Sequence, residues 1–211
     1  MKRRTILRGI QSAVLVVVVA FSGSTSVRAD DAEFADGARK FIEGMTDDAM
    51  KSLAVTGIEK EVRRERFRRL MRDKFAFKGI AKWVLGRYWR KASEDERRQF
   101  VALFEDLMVI TYADRFENYS GEKIEIGQAE VRSGKDALVH SKLIRGANTK
   151  SIDVIWRVRK SKGLFKVVDV MVEGLSMGLT QQKEFSSVIR KNGGKVIGLL
   201  DELRKRLKSN T

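Results

Sequence analysis

The feature that most constrains this chain is a change of hydrophobic period close to Gly121. Before it, apolar residues recur at helical spacing; after it, they alternate along short runs separated by Gly, Ser and Asn. A chain patterned this way folds as α+β, with helices segregated from an antiparallel sheet rather than interleaved with parallel strands. Lys123 to Arg132, Ala137 to Arg145, Ser151 to Lys160 and Leu164 to Glu173 read as four strands, joined by turns at Ser133-Gly134, Gly146 to Asn148 and Ser161 to Gly163. In the third, Ile152, Val154, Trp156 and Val158 share one face, with Ile155 the exception among polar neighbours. In the fourth, Val167 to Val172 is apolar on both faces apart from Asp169, which predicts cover on both sides.

The helical half runs over residues 30–120. Asp30-Asp31 start a helix carrying Phe34, Ala38, Phe41, Ile42 and Met45, and Thr46-Asp47-Asp48 restart a short one through Leu53. Ile58 to Lys74 is dense in charge around a narrow stripe of Ile58, Val62, Phe67, Leu70 and Met71. Such a run is either a solvated helix face or a docking surface for an acidic partner. Phe75 to Trp89 packs Phe75, Phe77, Trp83, Tyr88 and Trp89 into fifteen residues. Ser93 to Glu96 is a capping box, which begins a long helix whose Phe100, Leu103, Phe104, Leu107, Met108, Tyr112 and Phe116 give a broad apolar face. After the sheet region, residues 122–173, two more helices fill 176–208: one buries Phe185, Val188 and Ile189, the other Val196, Leu199, Leu200 and Leu203.

Residues 1–29 stand apart from this pattern. Lys2, Arg3, Arg4 and Arg8 precede an apolar stretch from Ile10 to Phe21, and Val27-Arg28-Ala29 places small residues where a signal peptidase reads. The apolar stretch is too short for an ordinary bilayer span. The reading is an export signal cleaved after Ala29, with a retained N-terminal anchor as the alternative, followed by one domain over 30–211. A faint twin-arginine pattern at Arg3-Arg4 leaves the export route open.

The charge balance is strongly basic, +15 over the whole chain. Removing residues 1–29 takes away five basic and no acidic side chains, so the remainder stays basic. An exported basic protein meets lipid headgroups or acidic protein surfaces rather than nucleic acid. With no cysteine, a disulfide framework and a zinc-thiolate site are both excluded. His140, the only histidine, sits mid-strand without a nucleophile elbow, phosphate loop or calcium loop anywhere to accompany it. Asp169 and Glu173, four residues apart on a strand, stand about 13 Å apart, too far for ordinary glycosidase geometry. Neither catalytic nor metal-ligating residues are assigned, and no cofactor is expected.

Leu85-Gly86-Arg87-Tyr88-Trp89 and Asp169-Val170-Met171-Val172-Glu173-Gly174-Leu175-Ser176-Met177 resemble the MlaC family. The segments between fit in order: Ser93 to Phe104, Thr111-Tyr112, Tyr119 to Glu122, and Trp156-Arg157-Val158. The resemblance covers essentially all of the chain after residue 29. It implies a periplasmic carrier of phospholipid in a Gram-negative envelope, also described as a toluene-tolerance auxiliary protein. It implies a curved four-stranded antiparallel sheet of the nuclear-transport-factor-like type wrapped by about six or seven helices. The partners it implies are an inner-membrane ABC transporter complex (MlaD-like) and an outer-membrane lipoprotein complex (MlaA-like), met by a monomer in transient proximity to membranes. One branch of the family suggests a hopanoid-like cargo instead. Gln181-Gln182 and Asn192 to Lys195 depart from the family pattern and bear on headgroup choice and docking.

From the residues alone, the apolar surplus either packs against itself or lines a pocket; the resemblance favours the pocket. The expected lining is Phe77, Ile80, Val84, Phe104, Leu107, Met108, Trp156, Val170 and Val172, with Lys82 and Arg87 as candidate headgroup contacts. Two rival readings make different demands. An envelope adaptor needs a filled core; an isomerase or hydratase on the same kind of sheet needs a pocket holding a hydrogen-bonded Asp and Tyr.

Overall fold

The computed structural model describes residues 26–209 except 118, 120, 147 and 148. The export signal expected over residues 1–29 lies outside the described residues as far as residue 25. Among the described residues there are seven α-helices and one five-stranded antiparallel sheet.

Helix α1 (Ser26–Leu53) is continuous, where the sequence suggests a restart at Thr46. The Thr46 hydroxyl donates to Glu43 O at 2.9 Å, so it bonds within the helix instead of capping a new one. The stripe of Ala38, Ile42 and Met45 then runs on in phase to Leu53, and all four are buried. This stripe lies on the sheet, against Ala137, Val139, Val158 and Val167, with Phe34 and Phe41 stacked on Phe165 at 5.7 and 6.0 Å between ring centres.

The arginine-rich helix α2 (Lys60–Lys74) keeps a solvated side, with Glu61, Glu65, Arg69 and Asp73 exposed, while most of its cations are spent on contacts within the molecule. Helix α3 (Phe77–Leu85), the single turn α4 (Tyr88–Lys91) and the long α5 (Glu94–Ala113) follow. Along one side of α2, Arg64 grips Asp114 just past α5 at 3.1 and 2.9 Å, Arg68 reaches Asp106 at 2.7 Å, and Arg72 pairs with Glu105 at 2.6 and 2.9 Å. Residues 64, 68 and 72 recur at four-residue spacing, so one helical face presents all three. On another side, the buried Arg63 donates to Leu53 O (3.2 Å) and Arg66 to Ser52 O (2.9 Å), serving carbonyls at the end of α1 that the helix itself leaves open. The capping box forms at the start of α5: Ser93 Oγ accepts from Glu96 N at 3.1 Å and Ser93 N donates to Glu96 Oε2 at 2.8 Å.

Strands β1 (Lys123–Arg132), β2 (Asp136–Ile144), β3 (Ile152–Ser161), β4 (Leu164–Val172) and the two-residue β5 (Leu175–Ser176) pair in sequence order. The fifth strand is additional to the four that the sequence suggests. It exists because Glu173-Gly174 adopts a two-residue turn with positive φ at both positions, the geometry that matches strand twist in tight hairpins. Register shifts between Ile126 and Ala129 and between Arg157 and Val158 mark bulges, which bend the strands that carry them.

Helices α6 (Met177–Lys191) and α7 (Val196–Ser209) close a second core with α3 and α5. Phe100 and Phe104 stack at 5.7 Å, and Phe185 meets both edge-on at 5.8 Å. The molecule thus has one core under α1 and another among α3, α5, α6 and α7, with the site between them.

Candidate functional site

Where the two cores face each other they do not fuse. A cavity of about 510 Å³ remains, walled by α1, α2, α3, α5 and the inner face of the sheet. Packing in protein interiors leaves few voids larger than a water molecule. This volume lies instead within the range of small-molecule binding pockets.

Each wall arises from a local pattern. From Met45, which also belongs to the sheet core, Ala49 and Leu53 carry the α1 stripe on along the cavity. Phe67, Leu70 and Met71 are the narrow apolar stripe of α2. On α5, Phe104, Met108 and Tyr112 succeed one another at four-residue spacing, and Arg115 follows in the 3-10 turn Asp114–Phe116, so the lining passes from apolar to cationic at the end of the helix. The sheet adds Val154 and Trp156 from β3 and their cross-strand partners Val172 and Val170 from β4. The Trp156 indole N–H donates to Ser141 Oγ at 3.0 Å, and Ser141 Oγ donates to Val154 O at 2.9 Å. That relay satisfies the ring's one polar atom within the sheet and leaves its hydrocarbon to the cavity.

The polar groups in the interior are already committed. Thr46 bonds to its own helix. The Asp169 carboxylate, 8% exposed, accepts from Ser176 Oγ (2.6 Å), Val170 N (2.9 Å) and Gly178 N (3.2 Å), and so fastens the start of α6 to β4. Glu173 instead accepts from Asp153 N at 2.7 Å, so the two carboxylates do not work as a pair. Asp169 and Tyr112 both touch the cavity, but no hydrogen bond joins them among the described residues.

Asp169 apart, the charged lining residues are exposed or part-exposed. Arg115 and Arg145 are both exposed and both line the cavity, alongside the part-exposed Tyr119 and Glu122. Each guanidinium bonds to a backbone carbonyl, Arg115 to Thr111 O at 3.3 Å and Arg145 to Lys150 O at 3.4 Å, and most of its donors are left over among the described residues. Arg115 also stacks on the Tyr112 ring at 5.3 Å.

Of the residues expected from sequence, Phe77, Ile80, Phe104, Met108, Trp156, Val170 and Val172 line the cavity. Val84 and Leu107 do not. Val84, fully buried, belongs to the core among α3, α5, α6 and α7, and Leu107 packs against that same core. Leu107 sits one residue, roughly 100°, round the helix from Met108, which turns it away from the cavity. Lys82 and Arg87 also lie elsewhere. Lys82 is exposed on α3, and Arg87 lies over Tyr88 at 5.1 Å and donates to its hydroxyl at 3.1 Å. Arg115 and Arg145 were missed. Arg115 was legible as the continuation of the Phe104, Met108, Tyr112 line; Arg145 had no sequence signal, since it reaches the rim only through the pairing of β2 with β3.

A helix-wrapped antiparallel sheet enclosing an apolar cavity with a cationic rim defines a protein built to take in a molecule with a long apolar part and a polar end. The chain belongs to the MlaC family: the family model, described as MlaC protein, matches residues 43–205. Among curated proteins it is similar to the intermembrane phospholipid transport system binding protein MlaC of Haemophilus influenzae. The two are 30% identical over 114 residues, 52% of this chain and 53% of that protein. It is also similar to toluene tolerance protein ttg2D of Pseudomonas putida, 26% identical over 124 residues, 58% of this chain and 57% of the relative. The alignments thus span little more than half the length of these relatives. Among solved structures, the fold matches that of a phospholipid-binding protein from Ralstonia solanacearum in complex with a phospholipid. The TM-score is 0.70 at 24% identity, covering 82% of this chain and 98% of that one.

Proposed function

We propose that this protein carries a phospholipid through the periplasm, between the outer membrane and an inner-membrane transporter, without chemically altering it. The observation that carries the reading is the cavity of about 510 Å³ whose walls are hydrocarbon from five directions and whose charged lining residues, the hydrogen-bonded Asp169 apart, are exposed or part-exposed. A buried CH₂ is worth about 0.8 kcal/mol, so two long acyl chains represent roughly 20 kcal/mol of exposure cost. A lipid crosses water only inside a pocket of matching apolarity. The names and bound phospholipid of the relatives support the same cargo class.

Arg115 and Arg145 are the proposed phosphate contacts, in place of Lys82 and Arg87. Guanidinium groups with donors to spare suit a phosphodiester, and both of these line the cavity while being exposed. The periplasmic location rests on the export signal read at residues 1–29. Docking to MlaD-like and MlaA-like complexes rests on family membership. An adaptor with a filled core fits poorly beside so large a cavity. The isomerase reading needs an Asp free to act, whereas Asp169 already holds three hydrogen bonds at the start of α6.

The test is native mass spectrometry of protein purified from the periplasm without detergent, followed by extraction and identification of the lipid. A diacyl lipid at near-unit stoichiometry is the expected result. Val170→Trp, which fills the cavity from β4, should at least halve the lipid-bound fraction while the protein still unfolds cooperatively. A ligand-free wild-type mass would end the carrier reading; unchanged loading of the variant would remove Val170 from the binding surface.

A further inference from the structure

The outer surface of α3 and α6 combines exposed apolar side chains with an excess of cations. Trp83 is 38% exposed although its ring lies on the backbone of α6, so close that a Cβ on Gly178 would stand 2.0 Å from the ring. Gln182 Nε2 donates to Trp83 O at 2.6 Å and locks the two helices at that point. The indole N–H has no hydrogen-bond partner among the described residues. An exposed, rigidly held tryptophan with a free N–H is the side chain favoured at membrane–water interfaces. Beside it, Leu179 is 41% and Met177 36% exposed, and Leu175 on β5 is 68% exposed.

The charges around this patch are almost all of one sign. Residues 76–92 contain Lys78, Lys82, Arg87, Arg90 and Lys91 and no acid. Helix α6 adds Lys183, Arg190 and Lys191, and its one acid, Glu184, is bound to Arg206. The flanking Glu173 accepts from Asp153 N and is 3.9 Å from Lys150. Arg87, with Arg190 and Lys91 nearby, holds the Tyr88 hydroxyl below the usual phenol range, first through the hydrogen bond from Arg87 and then through their combined charge. Uncompensated positive charge around a shallow apolar patch matches an anionic bilayer surface. Apolar side chains enter the headgroup boundary while each lysine or arginine near the surface adds about a fivefold gain in partitioning.

The geometry points to this α3–α6 surface, centred on Trp83, Leu179, Lys82 and Lys183, as a docking face for anionic lipid bilayers. The cavity is near. Phe77 and Ile80 line it from α3 and Met177 lines it from the start of α6, so docking this face brings the apolar interior within about a helix diameter of the lipid. The docking surface stands on its own residues; only its use in loading or unloading cargo rests on the carrier reading.

Vesicle flotation tests it, with the chain from residue 30 onward at low ionic strength. The vesicles are phosphatidylcholine alone or with 30% phosphatidylglycerol. The wild type should float with the phosphatidylglycerol vesicles, stay behind with pure phosphatidylcholine, and be released by salt. Lys82→Glu with Lys183→Glu should weaken binding at least tenfold, and Leu179→Ser several-fold. Leu179 is exposed, so its replacement leaves the packing of Trp83 on Gly178 in place. Failure of the wild type to float, or equal binding by the charge-reversed variant, overturns the proposal. So does binding to an acidic protein surface in place of vesicles. Lipid content of the same samples, read by native mass spectrometry, separates the two proposals: flotation by a protein that carries no lipid keeps the docking face and discards the carrier.

Discussion

Asp136, 2% exposed, is the most deeply buried charged residue among those described. It opens β2 and accepts from Arg157 Nε at 2.7 Å and from Arg159 Nη2 at 2.9 Å, both on the neighbouring β3. Burial alone would raise its pKa, but the two guanidinium groups outweigh it and hold the carboxyl below its ordinary range. A carboxyl whose folded pKa is depressed gives stability that is present in full above the unfolded value, about 3.9, and is lost as pH falls through the lower folded value. The wild type should therefore lose stability on acidification below about pH 4. Asp136→Asn should cost about 2 kcal/mol at pH 7 and give a shallower decline on that acid limb. The cost is moderate because Arg157 and Arg159 are nearly half exposed and can return to water. Urea unfolding at pH 7, 5, 4 and 3 measures both; parallel stability curves for variant and wild type would rule out this role for the pair.

Helix α2 has little apolar surface of its own and is held in place by polar contacts, which makes it the element most exposed to single changes. Arg63 is 4% exposed and donates to Leu53 O and, at 3.5 Å, to Val55 O. Arg63→Ala leaves these carbonyls without that donor and opens a gap where the side chain packed. The expected loss is about 2 to 3 kcal/mol. Arg69→Ala, on the exposed side of the same helix, should stay within about 0.5 kcal/mol. Similar losses for the two, measured by chemical denaturation, would show that charge alone governs α2. The same helix marks the limit of what sequence tells. Where one pattern decides an element, as in the alternation of β3 or the Ser93–Glu96 capping box, the sequence suffices. The role of the arginines of α2 depends on where α1 ends and how α5 runs, and neither is visible from the run itself. Leu107 and Met108 show the same limit: both are apolar on one helix and both pack against the helical core, and only the tertiary arrangement decides that Met108 also faces the cavity.

At the scale of the whole molecule, two separately packed cores share a cavity rather than a continuous interface. One is α1 on the sheet; the other joins α3, α5, α6 and α7. A smaller cluster of Met71, Val109 and Ala113, with Phe67, Phe77 and Met108 against it, borders the cavity and shares Phe77 and Met108 with the helical core, so a hydrocarbon guest would add apolar contacts that bridge both halves. A ligand that binds only the folded state stabilises it by RT ln(1 + [L]/Kd), about 2.7 kcal/mol when the ligand stands a hundredfold above Kd. For a chain of this length each kcal/mol moves the melting temperature by about 2–4 °C. Protein stripped of lipid on a hydrophobic resin should therefore melt about 5–10 °C below the protein as purified, and adding back phosphatidylglycerol should restore it. Scanning calorimetry reads the shift, and a mass spectrum of the same sample confirms that the lipid has left. Identical melting with and without lipid would mean that the two cores are already held as firmly as the fold requires, and that the cavity serves no guest which bridges them.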